Sequence, residues 1–205
     1  MKKVLIALLG VIVLFIAGLV VLMLVTPTDF RVQREVVIDK PRAEVFKYIK
    51  TLNNQNEWGP WVKKDPNIKL TSSGTDGEVG YVSRWESEME DVGHGEQEIT
   101  KIVDGERIDS ELRFKKPMEA TSQAYITTED AGEGKTKVTW GFTGSMDRPM
   151  NLMLVFMDMD AMVGKDFEEG LANLKSIVEK QTSPEPQKPE SGDADANTNQ
   201  ENSNK

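Results

Sequence analysis

Reactive side chains are scarce in this chain of 205 residues, which has one histidine, His94, and no cysteine. Without cysteine there is no thiol nucleophile, disulfide, thiolate zinc site or iron–sulfur cluster. A site built on several histidines is excluded by number, and a Ser-His-Asp triad would have to use His94. That residue stands between Gly93 and Gly95, in phase with Glu96 and Glu98 and out of phase with Gln97 and Ile99. Strand alternation therefore sets it on the outer face, away from any enclosed substrate that acid–base chemistry would need. Asp158, Asp160 and Asp166 are close enough in sequence to suggest a cation site, but their spacing reads as a solvated helix face. Asp147, just before Arg148-Pro149, reads as a capping residue. These residues define no catalytic group, no metal ligand and no cofactor.

The residues suited to binding are apolar. Trp58 and Trp61, three apart, can share one face. Each is large enough to anchor a core or to line a ligand cavity. Six of the ten methionines fall between Met146 and Met162. Methionine adapts its shape, so this cluster fits either a helix buried on two sides or the deformable wall of a hydrophobic pocket.

Three zones follow from composition. Val4 to Val25 is a run of 22 residues without a polar side chain. At ~1.5 Å per residue it spans about 33 Å as a helix, enough for a hydrocarbon core of ~30 Å. It is longer than the apolar part of a signal peptide and is followed by no small-x-small cleavage site, so the expectation is an uncleaved, single-pass anchor over residues 1–26. Lys2 and Lys3 favour a cytoplasmic amino end and a domain outside the cytoplasm, although Arg31, Arg34, Lys40 and Arg42 oppose that orientation. From Thr182 onward the chain is polar, contains three prolines and no aromatic residue, and reads as a disordered tail. The whole chain carries −9, and the middle section, residues 27–181, carries −8. That balance argues against nucleic-acid binding and against attraction to anionic lipid.

The middle section reads as α+β. Phe30 to Ile38 is a strand, followed by a helix that Asp39 could cap and that buries Val45, Phe46 and Ile49. Short strands follow over 68–72, 80–88, 95–103, 108–114, 120–128 and 138–142, with Asp104-Gly105 as a hairpin signal. Their alternation implies an antiparallel sheet with one wet and one packed face. An apolar stripe predicts one long helix from about Pro149 to Lys180.

This order resembles the helix-grip fold of the START-like, or SRPBCC, superfamily over roughly Phe30 to Lys180. That group includes pollen-allergen-like proteins, steroidogenic lipid-transfer domains, polyketide cyclases and Hsp90 activator domains. The local matches are Ile38-Asp39-Lys40-Pro41-Arg42-Ala43-Glu44-Val45-Phe46, Trp58-Gly59-Pro60-Trp61, Gly93 to Ile99, Thr136 to Trp140, and Phe167 to Lys175. The similarity is closest to bacterial proteins labelled polyketide cyclase/dehydrase and lipid-transport-like.

The resemblance implies a curved sheet gripping the last helix around a cavity. Its expected binding residues are Trp58, Trp61, Tyr81, Trp85, Gln97, Leu112, Trp140, Phe142, Met153 and Met157. The same residues could instead fill a closed core. The leading expectation is a membrane-anchored binder of a hydrophobic small molecule or lipid. A cyclase- or dehydrase-like enzyme and a protein-interaction module remain alternatives on the same fold. Neither a protein partner nor the ligand is named by the sequence.

Overall fold

The computed structural model of the protein describes residues 2–181. The polar tail after Gln181, read above as disordered, lies outside the described residues. Helix α1 (Lys2–Val25) buries none of its residues. Strand β1 (Asp29–Ile38) leads into α2 (Arg42–Lys50), a 3-10 turn (Leu52–Asn54) and the short helices α3 (Gln55–Trp58) and α4 (Trp61–Lys64). Then come β2 (Lys69–Ser73), β3 (Val82–Glu86), β4 (His94–Val103), β5 (Arg107–Lys116), β6 (Ala120–Asp130) and β7 (Thr136–Ser145). A 3-10 segment (Met150–Val155) precedes α5 (Met159–Lys180).

The seven strands form one curved antiparallel sheet in the order β1-β7-β6-β5-β4-β3-β2. Strands β2 to β7 each pair with the next in sequence, while β1 pairs with β7 and not with β2, so that β1 and β2 form the two edges. The β4–β5 turn spans Asp104 to Glu106, and Gly105 takes the left-handed conformation there (φ 71°). One face of the sheet receives α5 through Phe167, Leu171, Leu174 and Val178, at helical spacing and all buried. Val45, Phe46 and Ile49 of α2 join the same core. Burying each large side chain contributes roughly 1.5–3 kcal/mol.

Helix α5 also covers the open edge of β1, which would otherwise present free main-chain groups. Lys175 Nζ donates to the Val37 carbonyl (2.6 Å), and Glu179 Oε1 accepts from the Asp39 N–H (2.7 Å). Arg34 of β1 reaches Asp160 (2.8 Å) and Glu168 (2.6 Å) on α5.

Several local expectations are corrected. Asp39 does not cap α2: Pro41 occupies the cap position, and the Asp39 carboxylate pairs with Lys135 (3.3 Å). The long terminal helix is broken. Asp158 caps α5 by accepting from the Ala161 N–H (2.9 Å), and the residues before it form the 3-10 segment instead. Aspartate at an N-cap favours starting a helix over continuing one. Asp158 and Asp160 are solvent-exposed, Asp160 in an ion pair with Arg34, whereas Asp166 is half-buried against Lys64 and leaves that solvated face. Asp147 supplies no side-chain cap to the 3-10 segment, whose cap position is Pro149; its carbonyl accepts from the Asn151 N–H (3.2 Å).

Candidate ligand-binding cavity

A cavity of about 550 Å³ lies between the sheet, the α3–α4 region and the first half of α5. Strand alternation builds its floor. Ser83 and Trp85 of β3, Gln97 of β4, Leu112 and Phe114 of β5, Ala124 of β6, and Trp140 and Phe142 of β7 all line it. The register sets them side by side: Ser83 opposes Gln97, Gln97 opposes Leu112, and Ala124 opposes Phe142. On β3 to β5 the intervening residues face the other way and carry charge. Glu96 bridges Arg84 (3.1 Å), Arg113 (2.7 Å) and Lys115 (3.1 Å) on that outer face. Hydrogen bonds from Arg113 and Lys115 hold the Glu96 carboxyl down at about 2.

Trp140 is the hub of the aromatic wall. Its ring stacks on Phe167 (3.9 Å between centroids) and takes the edges of Trp58 (4.8 Å) and Trp61 (5.6 Å). Gly170 permits this, because a Cβ there would come within 2.8 Å of the Trp140 ring. At the far end Trp85 meets Phe114 edge to face (5.9 Å), and Phe114 meets Phe142 (6.4 Å). Gly95 makes the room for Trp85, since a Cβ would sit 2.5 Å from the indole. The indole N–H donates to the Val92 carbonyl (3.2 Å), which fixes the ring.

Polar groups are few and come from loops and helices. Lys64 of α4 donates to both oxygens of Asp166 on α5 (2.9 and 2.8 Å), a half-exposed pair that joins the two sides of the cavity. Gln55 lines the cavity, and its Oε1 is buried without a hydrogen-bond partner among the described residues. No cluster of three or more His, Asp or Glu side chains suited to a metal occurs among the described residues. His94 is half-buried at the start of β4 and does not line the cavity.

Of the ten residues singled out from sequence, Trp61, Trp85, Gln97, Leu112, Trp140 and Phe142 line this cavity. Trp58 and Tyr81 do not. Trp58 is buried behind Trp140, and Tyr81 is buried with its hydroxyl donating to Asn53 Oδ1 (2.8 Å). Met153 and Met157 precede α5 and lie outside the lining, because the helix expected to carry them over the sheet begins only at Met159. Sequence reasoning missed Gln55, Lys64, Phe114, Asp166 and Phe167. Phe114 was in phase with Leu112, and Phe167 lay on the apolar stripe of the last helix. Asp166 reads from sequence only as part of an acidic helix face, and Gln55 and Lys64 carry no signal of their own, since these residues meet only through the fold.

A curved antiparallel sheet gripping a C-terminal helix over an apolar cavity defines a helix-grip protein of the START-like class. The chain belongs to the polyketide cyclase / dehydrase and lipid transport family, whose sequence profile matches residues 29–179. Similar solved structures include a protein of Chromobacterium violaceum, 18% identical over 76% of this chain and 100% of that one, with a TM-score of 0.52. A Thermobifida fusca protein is 15% identical over 72% of this chain and 92% of its own, with a TM-score of 0.53. The Aha1 dimer from Colwellia psychrerythraea is 15% identical over 74% of this chain and 97% of its own, with a TM-score of 0.51. At these identities the likeness establishes the fold. No curated protein matches the chain significantly in sequence.

Proposed function

We propose that this protein is a membrane-anchored binder of a hydrophobic small molecule or lipid, held between the sheet and α5. The carrying observation is the cavity itself. Its ~550 Å³ falls within the ~300–1,000 Å³ of small-molecule sites, and its walls are mostly aromatic and aliphatic with few polar groups. The family description, which includes lipid transport, agrees with that class of ligand. Trp61, Trp85, Gln97, Leu112, Trp140 and Phe142 make the contacts, and Phe114 and Phe167 extend them.

The buried Gln55 Oε1 adds a preference. A ligand bearing a hydroxyl or N–H group satisfies it, whereas a pure hydrocarbon leaves it unpaired. Residues 1–26 serve as the anchor and 27–181 as the binding domain, with Lys2 and Lys3 keeping the amino end in the cytoplasm. Support for the anchor is the apolar α1, whose side chains the rest of the chain leaves uncovered.

The test is titration of the full-length chain with a naphthylamine-type apolar fluorophore, read by energy transfer from tryptophan. Saturable binding of one probe per chain is expected. It should weaken at least tenfold when Leu112→Trp fills the cavity while the secondary structure stays intact. Equal binding by the Leu112→Trp chain contradicts the assignment of the cavity.

A further inference from the structure

The last turn of α1 is held by the residues that lead into α5. Asn151 is fully buried, and its Nδ2 donates to the carbonyls of Met23 and Thr26, each at 2.9 Å. Arg148 donates from Nε to the Met23 carbonyl (3.2 Å) and from Nη2 to the Leu24 carbonyl (3.3 Å). Carbonyls at the end of a helix lack partners within it, so Arg148 and Asn151 act together as a cap for α1. The arginine charge also suits the negative end of the helix dipole.

This collar fixes the 3-10 segment beside the point where the apolar span ends. The segment nevertheless turns apolar side chains outward. Met150, Met153 and Val155 are exposed, Phe156 is 83% exposed, and Met162 in the first turn of α5 is 56% exposed. An apolar patch of this kind on a protein surface marks a contact site. Five residues of 3-10 rise keep Phe156 within about 10 Å of Asn151 along the segment, within the ~5–10 Å to which an interfacial apolar face sinks. Met162 is also part of the cavity wall, so the patch adjoins the cavity.

We propose that residues 148–162 form a bilayer-docking surface. Met150, Met153, Val155 and Phe156 enter the interface beside α1, and Met162 brings the cavity wall against the lipid. The inference rests on the reading of α1 as a membrane anchor. The partner is the apolar layer of the bilayer and not its charge, because residues 27–181 carry −8 and gain nothing from anionic headgroups. A ligand reaching the cavity by this route comes from the membrane itself.

The lack of cysteine allows a direct test with single labels on the full chain. Met153→Cys and Phe156→Cys carry an environment-sensitive nitrobenzoxadiazole dye in phosphatidylcholine vesicles. Val13→Cys serves as a reference inside the span, and Thr71→Cys on β2 as a reference in water. Lipids with a shallow nitroxide should quench the dyes at 153 and 156, deep nitroxides should quench at 13, and neither should quench at 71. Addition of phosphatidylserine should not deepen the first two sites. Dyes at 153 and 156 that behave like the one at 71, with 13 still quenched, overturn the docking surface and leave the anchor standing. A dye at 13 that also escapes quenching overturns both.

Discussion

Trp140 of β7 and Phe167 of α5 lie face to face, with ring centroids 3.9 Å apart and planes within 8° of parallel. Both rings also line the cavity. One contact thus ties the sheet to its helix and forms part of the candidate site, so the core and the cavity wall share the same side chains. Phe167→Ala should cost about 3 kcal/mol, within the range for truncating a buried phenylalanine. Gly170→Ala should cost about 1–3 kcal/mol through the clash with Trp140. Urea unfolding of the full chain, followed by tryptophan fluorescence, checks both as lowered midpoints.

The Gln55 Oε1, without a hydrogen-bond partner among the described residues, should separate two ligand chemistries. Gln55→Met keeps length and volume but removes the acceptor. The variant should bind a long-chain alcohol about fivefold more weakly, matching a hydrogen bond worth about 1 kcal/mol, while its affinity for the corresponding alkane holds or rises. Calorimetric titration with the matched pair reads the difference. An equal loss for both ligands would place Gln55 in packing alone.

Much of the architecture was legible because strands repeat at two residues. Trp85, Gln97, Leu112 and Phe142 sit on alternating runs, and that alternation sent each of them to the cavity face and Glu96 and Arg113 to the outside. The terminal helix was misjudged at its start because 3-10 structure also repeats near three residues. The spacing of Met150, Met153 and Met157 therefore runs on into Ala161 and Gly164 across the break at Asp158. Trp58 and Trp61 have helical spacing, yet Gly59-Pro60 divides them between two short helices, so one is buried behind Trp140 and the other lines the cavity. Lys64 and Asp166 are 102 positions apart, and no local pattern marks their pairing.

The outer face makes a prediction about pH. The Glu96 carboxyl titrates at about 2 in the folded protein against 4.5 in the unfolded chain, owing first to the Arg113 hydrogen bond and then to that of Lys115. A lowered carboxyl value stabilises the fold above the unfolded value, and that contribution disappears as pH falls through the folded one. Stability should therefore decline between about pH 4.5 and about 2. Glu96→Gln should be less stable at pH 7 and show a shallower acid decline. Urea midpoints measured across that pH range decide the matter, and identical slopes for both chains would remove Glu96 as the cause.

The space between the sheet and α5 should hold an apolar molecule. The most direct measurement is native mass spectrometry of the full-length chain released from its membrane mimetic, paired with analysis of an organic extract. One apolar species is expected per chain, of a size that fits about 550 Å³. That species should be absent from a chain in which Ala124→Phe fills the floor without unfolding the domain. An unmodified chain that carries no such species and takes up none from a panel of lipids and aromatic compounds would contradict the claim. The tryptophans of the wall would then serve packing alone.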